Sequence, residues 1–127
     1  MSTWLLSKSF RFESSHQLVK HDGKCAQLHG HSWKGELVVG GHYLQSTGAK
    51  ENMVVDFGHL SLITEEIEQQ LDHKHLNVVL QTDMPTSEFV ARWIFKQVKD
   101  KLNGQPIWLH KVAVEETCTS RCQYSEQ

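Results

Sequence analysis

Apolar and polar residues alternate with a period of two in two stretches of the first 43 residues, which is the pattern of half-buried β-strands. In the segment 4–15, Phe10 and Phe12 lie at even positions. In the segment from about His31 to Tyr43, the apolar side chains lie at odd positions, beginning with Trp33. The pattern predicts two strands, each with one face toward a core.

Two later stretches change to the 3.6-residue period of amphipathic helices. Asp56 is a suitable N-cap for the first helix, which ends near Leu71. The second helix begins at Thr86 or Ser87 and stops at Asn103–Gly104, a common kind of helix end. The apolar stripes are Leu60, Ile63, Ile67 and Leu71 in the first helix and Val90, Trp93, Ile94, Val98 and Leu102 in the second.

Strand patterns also occur before the first helix and after the second. The apolar run 53–55 is expected to complete a β-hairpin with the second strand. A third strand opens at Pro106 with its even positions 108–116 on one face, and a short last strand covers about 123–125. The order β-β-α-α-β-β predicts an α+β domain with both helices on one face of an antiparallel sheet.

Length and composition narrow the classes of function. We expect the 127 residues to form a single domain, 1–127. A net charge of −2 argues against nucleic acid as a partner, because no broad basic surface is present. No apolar run approaches the roughly 20 residues of a membrane span, and the first residues lack a signal-peptide pattern, so we expect a cytoplasmic protein with no membrane association. The three cysteines are expected to be thiols, with Cys118 and Cys122 structural.

Three histidines are candidate metal ligands because of their positions on the first two strands. His29 and His31 are two residues apart, so on a strand both side chains point to one face. His16 ends the first strand on its apolar face. Three inward imidazoles suit zinc, and a three-histidine site with an open fourth position is typical of catalysis, whereas structural zinc is normally closed by four ligands. The histidine pair alone is also common in sites that are merely packed.

Cys25 lies four residues before His29 and could either close a metal site or act as a nucleophile or base. A thiol needs a nearby base or cation to be mostly thiolate at neutral pH. Asp72 and His73, at the end of the first helix, are a candidate pair for that purpose, because a carboxylate can orient an imidazole. The alternative is that these two residues only terminate the helix.

Glu116 is the third candidate group. Its position on the third predicted strand places it on the same face as Val112 and Val114, where an unpaired charge would be costly. A ligand with paired N–H donors would satisfy this carboxylate. The alternative is a bulge or strand end that lets the side chain reach water.

Six motifs together closely resemble the 6-pyruvoyltetrahydropterin synthase superfamily over nearly the whole chain. They are His16, Cys25-x₃-His29-Gly30-His31, Val55-Asp56-Phe57, Leu71-Asp72-His73, Pro85-Thr86-Ser87-Glu88 and Val114-Glu115-Glu116-Thr117-Cys118-Thr119. Within this superfamily, the three-residue gap after Cys25 and the ending E-T-C-T-x-x-C are similar to the bacterial branch that acts in queuosine precursor biosynthesis.

The resemblance implies the tunnelling fold (T-fold), a four-stranded antiparallel sheet with two helices on one face. Its trimers close a twelve-stranded barrel and stack into homohexamers, with active sites at subunit interfaces.

The resemblance also assigns roles to individual residues. It implies zinc on His16, His29 and His31, and a catalytic Cys25 assisted by Asp72 and His73. It implies a pterin anchored by Glu116, in a pocket that Thr86 and Glu88 help to shape. Lys24 and Arg121 are candidate phosphate contacts that no motif fixes.

The reaction implied by the bacterial branch is that of a zinc-dependent carbon–carbon lyase. Its substrate is 7,8-dihydroneopterin triphosphate, and its products are 6-carboxy-5,6,7,8-tetrahydropterin, acetaldehyde and triphosphate. Two alternatives remain open at this point. One is formation of the 6-pyruvoyl product from the same substrate, and the other is a non-catalytic zinc-binding protein in which Cys25 is a fourth ligand.

Overall fold

The computed structural model of the protein describes residues 1–126 and contains one sheet and three helices. No helix in that range combines the length and apolar character needed to cross a membrane. In chain order the elements are β1 (Trp4–His16), a 3₁₀ turn (Lys24–Ala26), β2 (His29–Gly41), α1 (Phe57–Leu71), β3 (Lys74–His75), α2 (Leu76–Val79), α3 (Ser87–Lys101), β4 (Trp108–Thr117) and β5 (Ser120–Tyr124).

The sheet has the strand order β3-β1-β2-β4-β5, and the long β1–β2 pair forms its centre. These two antiparallel strands pair without interruption from Trp4 opposite Gly41 to His16 opposite His29. The register aligns even positions of β1 with odd positions of β2, as the two alternation patterns require. It also brings two candidate metal ligands directly opposite each other.

Both long helices pack on one face of this sheet and share its core. Phe12 and Trp33 stack there with ring centroids 5.7 Å apart and planes 6° apart. Ile67 of α1 and Ile94 of α3 are fully buried in the same cluster. Apolar contact area of this kind is the main stabilising term for a domain of this size. The predicted α+β architecture, with two helices on one face of the sheet, is confirmed.

The sheet has five strands rather than the four expected, because the chain after α1 returns to the edge of β1. The His73 backbone N–H donates to the Glu13 carbonyl (2.6 Å), and Lys74–His75 then pairs parallel with Ser14–Ser15. The short helix α2 follows at once. The expected strand at 53–55 is wrong: this run lies outside any strand, and Met53 takes part in local hydrogen bonds with Gln45 and Lys50 instead.

A bulge in β4 changes which side chains face the core at the start of that strand. The register to β2 shifts by one residue at His110, so Leu109 rather than His110 pairs with Val39. Leu109 packs against the core, whereas Trp108 lies over Gly40 on the other face. The expectation that positions 108 and 110 share the face of Val112 is therefore wrong, because a bulge breaks the period of two.

Gly35 in β2 is predicted to be intolerant of any side chain. A Cβ at this position would overlap the Phe10 ring. Gly35→Ala should therefore lower the free energy of unfolding by about 1–3 kcal/mol, the usual cost of overpacking a core. Chemical denaturation measures this loss.

Gly30→Ala is the matched control, because the nearest atom to its added Cβ is the Ser14 carbonyl oxygen at 3.8 Å, an ordinary contact. Equal stability of the two variants would contradict the packing assignment for Gly35.

Candidate metal centre and substrate site

Four side chains from three strands converge at one end of the sheet. They are His16 at the end of β1, His29 and His31 at the start of β2, and Glu116 near the end of β4. One ligand atom from each lies within 4.8 Å of the others. The β1–β2 register explains the convergence, since it sets His16 opposite His29 and leaves His31 two residues along on the same face.

Backbone carbonyls fix the orientation of two of these imidazoles. His16 Nδ1 donates to the Pro85 carbonyl (2.9 Å), and His29 Nδ1 donates to the Gln27 carbonyl (2.7 Å). Because Nδ1 carries the proton in each neutral ring, Nε2 retains its lone pair. Burial lowers the pKa of the fully buried His16, which favours the neutral form that binds metal.

The Nε2 atoms of His16 and His31 are buried and, within residues 1–126, have no hydrogen-bond partner of suitable geometry. Their nearest acidic neighbour is Glu116, whose Oε1 is 3.4 Å from His16 Nε2 and 2.9 Å from His31 Nε2. Buried polar atoms are normally satisfied. Buried imidazole nitrogens that lack a partner and lie beside a carboxylate fit a bound transition-metal cation.

The Trp33 ring supports the histidines from the core side. It packs edge-on against His16 and His31, with centroids 5.1 and 5.7 Å away. Its indole N–H donates to the Ser14 carbonyl (3.3 Å). The alternation pattern placed Trp33 on this face, but a pattern cannot show that the ring contacts both imidazoles.

Glu116 lies at a bulge, as one sequence-based interpretation allowed, and its side chain still faces inward, as the other required. The β4–β5 register shifts between Glu115 and Thr117, so Glu116 is a bulged residue. Its side chain nevertheless points to the histidines and is only 22% exposed. Glu116 Oε2 accepts a hydrogen bond from Ser87 Oγ (2.8 Å), a contact that sequence reasoning missed.

Asp72 and His73 contact each other, with 2.9 Å between Asp72 Oδ2 and His73 Nδ1. Asp72 Oδ1 also accepts from the Glu13 backbone N–H (2.8 Å). This N–H and the His73 ring hold the pKa of the Asp72 carboxyl below its ordinary value. His73 has a left-handed backbone (φ 57°), a conformation that non-glycine residues adopt mainly where surrounding contacts impose it. Its side chain is 80% exposed, so the pair is presented at the surface.

Two clefts flank His31. Within one protomer, His73 lines one of them and Glu116 lines the other. The His73 cleft, about 550 Å³, is lined by His31, His73 and His75 together with neighbouring residues of β1–β3. The Glu116 cleft, about 560 Å³, is lined by His31, Glu115 and Glu116 together with neighbouring residues of β1, β2 and the turn between β4 and β5. Neither includes Cys25.

Cys25 lies half-buried in the 3₁₀ turn, outside the four-residue ligand cluster among residues 1–126. Its backbone carbonyl accepts from the Leu18 N–H (2.8 Å), which closes the loop after β1. Glu116, not Cys25, is therefore the fourth group beside the histidines. A single protomer does not bring Cys25 together with Asp72 and His73 in either cleft.

The remaining predicted residues have structural contacts. Thr86 caps α3, its Oγ1 accepting from the Phe89 N–H (3.2 Å). Glu88 lies in the first turn of α3, where a negative charge is favourable. Burial raises the pKa of the Cys122 thiol, and the negative charge of Glu88 is a second, smaller cause. Arg121, a candidate phosphate contact, instead pairs with Glu36 at 2.8 Å.

A sequence profile of the 6-pyruvoyl tetrahydropterin synthase family matches residues 5–127. The chain belongs to this family. The structure of the Caenorhabditis elegans 6-pyruvoyl tetrahydropterin synthase, 24% identical, superposes with a TM-score of 0.83 and covers 100% of this chain and 98% of that one. This similarity supports the predicted T-fold.

Sequence comparison places this family member near proteins of the carboxy branch. It is 43% identical over 122 residues to 6-carboxy-5,6,7,8-tetrahydropterin synthase of Synechocystis, covering 95% of this chain and 92% of that protein. It is 32% identical to the enzyme of that name from Haemophilus influenzae, with 95% and 98% covered.

His16→Ala is predicted to reduce bound metal strongly, since the Pro85 carbonyl holds the His16 ring with Nε2 toward the cluster. We expect at least about a tenfold loss in metal affinity, measured by competition with a chromophoric chelator. His42→Ala is the control, because this half-buried histidine contacts Ser2 and Thr3 rather than the cluster. Unchanged affinity in His16→Ala would contradict the assignment.

Proposed function

We propose that this protein is a single-domain, zinc-dependent lyase that converts 7,8-dihydroneopterin triphosphate to 6-carboxy-5,6,7,8-tetrahydropterin, acetaldehyde and triphosphate. The product would serve 7-deazaguanine (queuosine precursor) synthesis. The 43% identity over almost the whole chain to a protein named for this product is the observation that carries the proposal. The metal cluster and its two clefts give the chemistry a location.

Zinc is the proposed metal, held by His16, His29 and His31. Three imidazoles suit a catalytic zinc whose remaining position is open to substrate. When bound there, zinc would stabilise negative charge that develops on a substrate oxygen. Glu116 has two candidate roles, as a fourth ligand or as a substrate contact. The hydrogen bond from Ser87 to its second oxygen favours the role of substrate contact, because it holds the carboxylate in the wall of the cleft.

Glu116 is the proposed anchor of the pterin ring. The edge of a pterin carries an amino group and a ring N–H side by side, and a carboxylate can accept both hydrogen bonds at once. The side chain lines its cleft and is mostly shielded from water, so the paired, charge-assisted bonds would form in a partly desolvated site.

Cys25, Asp72 and His73 are the proposed proton-transfer groups. The Cys25 thiolate would remove a carbon-bound proton next to the reduced ring. Asp72 holds the His73 ring at 2.9 Å, so the pair could carry a proton on the other side of the substrate. Thr86 holds the start of α3 beside the Glu116 cleft, and Glu88 supports the same turn.

A homo-oligomer would complete this site, since one protomer separates the catalytic groups. Most of β1 lacks a second neighbouring strand in the described protomer, because β3 pairs with only two of its residues. Leu5 on this edge is 52% exposed, and β5 forms the other edge of the sheet. Free edges of this kind favour pairing with further copies. We propose a trimer closed through these edges, two of which stack into a hexamer.

Glu116→Gln is predicted to weaken pterin binding much more than Glu115→Gln. An amide accepts at one atom only, so one of the two N–H donors of the pterin would lose its partner, at about 1.5–3 kcal/mol or tenfold or more in Kd. Glu115 is the matched control because it lines the same cleft, but its carboxylate already pairs with Lys34 and Arg121 rather than facing the histidines. Fluorescence titration with neopterin measures both.

Zinc content should stay full in Glu116→Gln if three histidines hold the metal. A parallel loss of zinc would instead make Glu116 a metal ligand. Equal neopterin affinity in the two variants would remove Glu116 from the pterin site.

The direct test of the reaction is product identification. Wild-type protein with zinc and 7,8-dihydroneopterin triphosphate should form the 6-carboxy product, with acetaldehyde detected through alcohol dehydrogenase. Cys25→Ala should retain zinc and neopterin binding but lose turnover by at least about a hundredfold, the lower range for a catalytic base. A 6-pyruvoyl product without acetaldehyde would assign the protein to the other branch. Zinc binding without turnover by the wild type would favour a non-catalytic protein.

A further inference from the structure

We propose that Ser87 is a positioning residue that fixes the Glu116 carboxylate and thereby sets the selectivity of the site for rings with two adjacent N–H donors. The inference rests on the proposed role of Glu116 as the pterin anchor. The sequence motifs point to Thr86 and Glu88 at this turn and assign no role to Ser87.

The Glu116 carboxylate contacts different partners through its two oxygens. Oε1 faces the imidazoles, 2.9 Å from His31 Nε2 and 3.4 Å from His16 Nε2. Oε2 accepts from Ser87 Oγ at 2.8 Å. Ser87 Oγ is the donor in this hydrogen bond, and Glu116 Oε2 is the acceptor. The serine therefore holds the oxygen that does not face the histidines.

A glutamate carboxylate needs such a contact to keep one orientation. Rotation about its last side-chain bond has only broad, weak preferences. Glu116 also sits at a bulge, where the strand register does not constrain the side chain as a regular ladder would. Without the Ser87 hydroxyl, the plane of the carboxylate would be set by the histidine side alone.

Ser87 is well placed to act as a fixed donor. It is the first residue of α3, and the Thr86 cap at 3.2 Å holds this turn. Pro85, two residues before Ser87 and next to the Thr86 cap, accepts the hydrogen bond from His16 Nδ1 through its carbonyl at 2.9 Å. The segment 85–87 therefore contacts both the candidate metal ligand His16 and the Glu116 carboxylate, which ties the two side chains to one short stretch of chain.

The expected consequence is selectivity rather than a general gain in affinity. Each carboxylate oxygen has two acceptor positions, so Oε2 can accept from Ser87 and from a ligand N–H together. A fixed plane favours ligands whose two N–H groups match both oxygens, as in a 2-aminopyrimidinone ring. A ring with an oxo group in place of the amino group presents one donor fewer and depends less on the orientation of the carboxylate.

The test compares neopterin with its 2-oxo (lumazine) analogue on zinc-loaded protein. Ser87→Ala should raise the neopterin Kd about tenfold, the usual effect of losing a hydrogen bond to a charged group. It should change the Kd of the 2-oxo analogue less than threefold, so that discrimination falls. Ser87→Thr, which keeps the hydroxyl, should restore the wild-type ratio. Ser61→Ala is the matched control, because the Ser61 hydroxyl donates to the Phe57 carbonyl within α1 and not to the Glu116 carboxylate.

Metal content and melting temperature should stay at wild-type values in Ser87→Ala, which separates positioning from a structural role. An unchanged ratio of the two Kd values in Ser87→Ala, or loss of zinc in that variant, would overturn the proposal for Ser87 while leaving Glu116 as the anchor. A wild type that binds neither compound would overturn the anchor role itself, and the role of Ser87 with it.

Discussion

The pairing of β1 with β2 is the constraint on which the site depends. Thirteen consecutive residue pairs hold these strands in one register, and the last pair joins His16 to His29. A slip of one residue would turn a whole strand over, moving its histidines away from the core face and Phe12 or Trp33 with them. The aromatic stack that stabilises the core therefore also fixes the geometry of the candidate metal ligands.

The regular parts of this fold could be predicted from the sequence because they follow simple periods. The limits of α1 and α3 match their caps and apolar stripes, and the parity of β1 and β2 predicts three histidines on one face. Glu116 also lies on the face that parity indicated. These features depend on local pattern and on one strand pairing, which the sequence encodes directly.

The features that the sequence did not reveal arise where regularity ends. The bulge at His110 reverses the faces of Trp108 and Leu109, and no residue type marks it. The strand β3 has only two residues, too few for any alternation. Ser87 and the Pro85 carbonyl reach the site through tertiary packing of α3, which a strand or helix period does not describe. Cys25 is the remaining case, because the described protomer does not bring it into either cleft.

The bonds between Glu13 and the Asp72–His73 pair have a consequence for an assembled protein. Glu13 and His16 are three residues apart on β1, so one short stretch of strand contacts the Asp72–His73 pair and also carries a candidate metal ligand. If neighbouring protomers complete each other's sites, each β1 would belong to two of them. A displacement of this strand on substrate binding would then also change the geometry of an adjacent site. Such an oligomer could therefore couple substrate binding at neighbouring sites through β1.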